Sequence, residues 1–217
     1  SKYELVQMSE EYLTPEGKEA ENPVALLMER YTKELERDKY LERHPQVNHP
    51  FQAAEPESTP RYVGSDKCER CHQSAYKIWK ESGHGHAFQT LVDAKNPSRR
   101  QFDPECIVCH TVGYGYKGGF LTQEKSANLI NVGCESCHGP ASEHMKNSSD
   151  PTWQGLMNPW KAKEGETPKL KKARLLKADQ FCQTCHDMEN DVTWTNDGFA
   201  RKWPKVAHPT PDAEKNR

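Results

Sequence analysis

The sequence predicts a mainly α fold with long irregular loops and little or no sheet, and three observations lead there. One short motif, Cys-x-x-Cys-His, occurs four times, at Cys68–His72, Cys106–His110, Cys134–His138 and Cys182–His186. The composition is lean for a 217-residue chain, with 34% hydrophobic against 29% charged residues and a mean hydropathy of -1.02, so side chains alone make a thin core. Outside the motifs, apolar residues recur at helical spacing, while the connecting segments are rich in Gly, Pro and Asn.

Residues 1–60 carry no motif and form the first region. Asn22-Pro23 reads as a helix start with Pro at the first helical position. Val24, Leu27, Met28, Tyr31 and Leu35 then follow at i, i+3, i+4 spacing, which predicts a helix from Pro23 to Arg43 with a solvated face of Glu29, Lys33, Glu36 and Arg37. The next stretch, HPQVNHPFQAAEPESTP, contains four prolines and reads as an extended arm. Residues 61–217 form the second region, organised by the motifs. Ser65 or Asp66 caps a helix carrying Tyr76 and Trp79, and a short second helix is expected from Ala87 to Val92. The fragments NPSRRQFDPE, GYGYKGGF and NPWKAKEGETPK read as loops, with a short hairpin expected between Phe120 and Val132. Gly113-x-Gly115-x-x-Gly118 spells a dinucleotide fingerprint but lacks the flanking strand and helix, so it reads as a turn-forming loop.

All eight cysteines lie in the four motifs, and in every one the next residue is histidine: His72, His110, His138 and His186. At these Cys and His frequencies one such motif is expected about once in a hundred chains, so four mark a requirement. Zinc ribbons do not need a His after each pair, and disulfide frameworks do not need i, i+3 spacing four times. Covalent c-type haem needs both: Cys68, Cys71, Cys106, Cys109, Cys134, Cys137, Cys182 and Cys185 supply thioethers, and the four histidines supply proximal iron ligands. Four haems, as large apolar plates, would fill an interior that the side chains cannot, so the chain without them is expected not to fold.

Six further histidines remain: His44, His49, His84, His86, His144 and His208. A second imidazole gives a low-spin haem of lower potential than Met ligation does. His144 follows His138 by six residues through Gly139-Pro140, a path of at most about 20 Å that would have to round a macrocycle to reach the opposite face. It is therefore expected to serve a different haem. His84 and His86 flank one glycine and cannot both close one iron from the same side. His208 lies in a polar tail, either as a ligand or as a surface residue. His44 and His49 in the arm read as solvent-exposed, with ligation of a haem or contact with a neighbouring subunit as the alternative.

The stretches YVGSDKCERCHQSAYKIWKESGHGHAFQTL, CIVCHTVGYGYKGGF and NVGCESCHGPASEH resemble tetrahaem cytochromes of the cytochrome c554 family, over about Tyr62 to His208. The resemblance implies three bis-histidine haems, with His84, His144 and His208 as distal ligands, and a five-coordinate haem on His110 unless His86, His49 or His44 closes it. It implies an electron carrier between redox partner proteins, the family being known as acceptor of hydroxylamine oxidoreductase in nitrifying bacteria. Two other functions fit the same residues. One is a haem enzyme reducing a small nitrogen oxide or hydroxylamine at His110; the other is a subunit of a homo-oligomer or extracellular filament joined through the arm. The net charge of -2 argues against nucleic acid. No run approaches the roughly 18 apolar residues of a membrane span. The first residues, SKYELVQMSE, lack a secretion-signal pattern and begin without Met, so the chain reads as mature; haem attachment outside the cytoplasm leads to the expectation of a periplasmic or extracellular protein with its signal peptide removed.

Overall fold

In the computed structural model the protein is described at Ser9 and over residues 13–194 and 197–208. Among these residues it is mainly helical with no strand, as expected. Helix α1 (Pro23–Arg37) starts as the sequence predicts: the Asn22 side chain accepts from the backbone of Val24 at 2.8 Å and Ala25 at 3.3 Å, with Pro23 in the first turn. It stops short of Arg43. Continuing it would carry Lys39 onto the face that buries Thr32 and Leu35; instead Lys39 turns left-handed (φ 49°) and a separate α2 (Tyr40–Arg43) buries Leu41. The polar face of α1 is used as well as solvated. Glu29 accepts from the Ser98 backbone and hydroxyl, both at 2.7 Å, and Glu36 pairs with Arg99 at 2.6 Å.

The Pro-rich segment is held against the rest of the chain. Val47 exchanges backbone bonds of 2.9 Å with Gly115 and Lys117. Helix α3 (Pro50–Ala54) is capped reciprocally by His49 and Gln52, and Gln52 also donates to the carbonyls of Pro60 and Lys117. Helix α5 (Ala87–Val92) lies where expected, and α4 (Gln73–Glu81) carries Tyr76 and Trp79 but starts after His72, because Ser65–Lys67 forms a separate 3-10 turn instead of capping it. They are followed by α6 (Pro104–His110), α7 (Cys134–His138), α8 (Ser142–Lys146), α9 (Pro151–Met157), α10 (Pro168–Cys182) and α11 (Gly198–Lys202).

One apolar cluster gathers Leu41, Phe88, Leu91, Ile107, Val112, Tyr114, Phe120 and Leu129. The hairpin expected near Phe120–Val132 does not form. Ser126 Oγ accepts from Leu121 and donates to the Thr122 carbonyl, both at 2.8 Å, so the segment curls on itself and pairs only through one Thr111–Ile130 bridge. The glycine-rich loop is a turn, as read: Gly113, Gly115 and Gly118 all have positive φ, and a Cβ on Gly113 would stand 2.5 Å from the Tyr62 ring.

Candidate haem-binding site

Each motif folds as a helical turn. α6 and α7 contain the second and third motifs, and α10 ends on Cys182. In the first and fourth, the His72 and His186 amides donate to the Cys68 and Cys182 carbonyls at 2.9 Å. A helical turn puts residues i, i+3 and i+4 on one face, so both cysteines and the histidine of a motif are directed to the same side.

The motif histidines then meet the others. His72 faces His144 with ring centroids 6.1 Å apart, His84 faces His186 at 6.0 Å, and His138 faces His208 at 5.8 Å. Metal–nitrogen bonds of about 2 Å on both sides, plus about 1 Å from each nitrogen to its ring centre, separate two axial imidazoles by about 6 Å. All three pairs therefore have room for one iron atom. His110 enters no such pair among the described residues, although it lies near enough to His84 to act on its charge, and His86 is exposed. His44 is stacked on Tyr114 at 5.1 Å, and His49 lies edge-on to Tyr62 and Tyr116, so neither is the solvated side chain expected.

Local structure aims these rings. His84 lies in a tight turn between α4 and α5 whose Gly85 could not carry a side chain, since a Cβ would meet the Trp79 carbonyl at 2.7 Å. Trp79 donates to the Val132 carbonyl at 2.8 Å, and Val132 donates back to the His84 carbonyl at 3.2 Å. The Nδ1 atoms of three motif histidines are engaged: His110 with the Ala87 carbonyl at 2.6 Å, His138 with the Met157 carbonyl, and His186 with the Asp191 carboxylate at 2.7 Å. Donation from Nδ1 leaves the Nε2 lone pair for a metal. His144 presents a buried Nδ1 with no hydrogen-bond partner. Burial holds His84, His138 and His144 below the ordinary imidazole pKa, in the neutral form that ligates metals. Asp191 is held far below the usual carboxylate range by Lys202, then by Thr193 and His186.

Thiols of different motifs also come together, Cys68 beside Cys134 and Cys109 beside Cys185 within hydrogen-bonding reach, with all eight cysteines free of disulfides. Among the described residues no three His, Cys, Asp or Glu side chains converge on one point. Between the first and third motifs, the buried Glu135 carboxylate accepts from Val63, Gly64 and Ala141 amides at 2.8–3.0 Å. The sequence reading missed Asp191 and Glu135. The latter could have been noticed as an acid inside a motif.

Residues 67–139 match the family model "Cytochrome c554 and c-prime". The chain is also similar to cytochrome c-554 of Nitrosomonas europaea, 30% identical over 142 residues, covering 58% of this chain and 57% of that protein. The chain is thus similar to the cytochrome c554 family over part of its length, and it spans little more than half of that relative. Covalent haem c is the group this similarity implies, and the paired imidazoles, the engaged Nδ1 atoms and the unpartnered His144 nitrogen fit it. No solved structure matches this chain. Among its described residues no helix is long and apolar enough to cross a membrane.

Proposed function

We propose that this chain is a tetrahaem electron relay, one haem on each motif, passing single electrons between redox partner proteins. The observation that carries it is the recurrence of one spacing: three motif histidines each face a histidine from outside the motifs, at 5.8–6.1 Å. Cys68, Cys71, Cys106, Cys109, Cys134, Cys137, Cys182 and Cys185 would form the thioethers. The axial pairs would be His72 with His144, His186 with His84, and His138 with His208. Haem supplies reversible one-electron iron chemistry. The chain's contribution is to hold neighbouring motifs together. Cys68 beside Cys134 places the first motif next to the third, Cys109 beside Cys185 places the second next to the fourth, and Cys137 lies near Cys182 and Cys185 between them. Attachment of haem by thioethers takes place outside the cytoplasm, which supports a periplasmic or extracellular location. The test is the mass of the native-host protein together with electron paramagnetic resonance. Four haem masses and three low-spin centres are expected; a colourless protein of bare polypeptide mass overturns the reading.

One observation favours a second reading, reduction of a small nitrogen oxide or hydroxylamine at the haem of His110. Among the described residues His110 enters no ring pair like those of the other three motif histidines, its neighbour His84 being paired with His186. Carbon monoxide binding by one reduced haem supports it, and none removes it. Assembly through the arm is less favoured, because the His44 and His49 rings contact tyrosines of their own chain.

A further inference from the structure

The three described Nδ1 contacts differ in kind. His110 and His138 meet neutral backbone carbonyls, whereas His186 meets a carboxylate. The carboxylate is built into its place. Thr193 donates to Asp191 Oδ1 through its hydroxyl at 2.6 Å and its amide at 3.2 Å, and the Lys202 ammonium contacts Oδ2, the same oxygen that receives His186. Trp194 stacks on the His186 ring at 4.5 Å and 19°, fixing its orientation, and is itself anchored by donation to Asp179 at 3.1 Å.

We propose that Asp191 is the potential-setting residue of the fourth-motif haem, with Lys202 as its counterweight. This rests on the reading of His186 as an iron ligand. A hydrogen bond from Nδ1 to an anion makes an imidazole a stronger donor through its other nitrogen. A stronger donor favours the more positive ferric iron, so the centre gives up its electron more readily than one whose histidine meets a carbonyl. Lys202 withdraws charge from the shared oxygen and acts in the opposite sense. The exchange is one electron between this centre and a neighbouring haem; the proton stays on His186 Nδ1 and no bond breaks. Asp191 touches neither iron nor partner and acts through His186 alone, so it is a positioning residue.

The test is a redox titration of the haem-loaded full chain, followed optically and by electron paramagnetic resonance. Asp191→Asn keeps an acceptor oxygen and removes the charge. One midpoint should rise by about 59 mV or more, a tenfold shift in the one-electron equilibrium, with the other three unmoved. Lys202→Met should lower the same midpoint, and Asp191→Glu should stay near wild type. Should Asp191→Asn fail to load haem, Lys202→Met decides. Four loaded haems with unmoved midpoints overturn the proposal, as do equal shifts at several haems. A wild-type protein without a fourth haem instead defeats the relay reading beneath it, so the two failures are distinguishable.

Discussion

The second and fourth motifs lie on neighbouring cysteines yet sit in unlike surroundings. Around the second, Ile107, Val112, Phe120 and Leu129 are each no more than 3% exposed, and Leu41 joins them from the N-terminal region. Around the fourth, α10 leaves Leu170 and Leu176 more than half exposed and buries only Ala178. Polar and aromatic contacts do the holding there: Arg174 grips Glu166 with two bonds of 2.7 and 2.8 Å and reaches the Trp160 carbonyl, Lys202 grips Asp191, and Trp194 and Trp203 stack on His186 and Phe199. Contacts of that kind contribute less than packed apolar surface does. One side of the molecule has an apolar interior of its own, and on the other side α10 buries Ala178 alone.

The largest expected effect follows directly. Cys182→Ala with Cys185→Ala should remove one haem mass and abolish amide protection over residues 168–208, while residues 107–129 keep theirs. Hydrogen exchange read by mass spectrometry checks this; equal loss on both sides would mean that the apolar cluster is no more self-sufficient than α10. Next in size come substitutions within the cluster. Phe120→Ala should cost about 3–5 kcal/mol, and Leu41→Ala about 2–5 kcal/mol, in denaturant unfolding of the haem-loaded protein. A small loss at Leu41 would detach the N-terminal helices from that core.

Much of this asymmetry was hidden in the sequence for physical reasons. Periodicity located α1, α4 and α5, because each has an apolar face, and Asn22-Pro23 marked a start through its cap. Asp150-Pro151 and Thr167-Pro168 carry the same cap-then-proline signal at α9 and α10, with side-chain caps on Thr152 and Leu170. Periodicity does not single them out, because Lys, Gly and Pro crowd round them and the apolar residues of α10 follow no single face. The break at Lys39 depended on which face α1 buries, which only packing decides. At the site, the motifs announced the eight cysteines and four histidines by spacing alone. The facing of His144 to His72 and of His84 to His186 spans 72 and 102 residues of chain and needed the fold. Asp191 reaches His186 only because Asp187 caps the intervening turn through the Glu189 and Asn190 amides.

A third, smaller effect sharpens the comparison at a buried acid. Glu135 is 3% exposed, and burial raises its carboxyl pKa above the ordinary 4.5 despite the amides that favour the charged form. A carboxyl whose folded pKa is raised binds more protons folded than unfolded, so its contribution is fully present below about pH 4.5 and is lost as pH rises through the folded value. Glu135→Gln should therefore flatten a decline in the denaturation midpoint that wild type shows on going upward from pH 4.5. Parallel curves would mean that the Val63, Gly64 and Ala141 amides offset the burial in full.

The smallest effect tests the weak side of the comparison. Leu176 is 55% exposed on α10, so Leu176→Ser removes little buried surface and should change stability by less than about 0.5 kcal/mol. The same kind of polar substitution at Val112, 1% exposed, deletes buried methyl groups and leaves a hydroxyl in the apolar cluster, and should cost several times more. If Leu176→Ser cost as much as the change at Val112, that leucine would be covered in the haem-loaded protein. The fourth-motif region would then possess an apolar interior after all, closed between α10 and the porphyrin rather than between side chains.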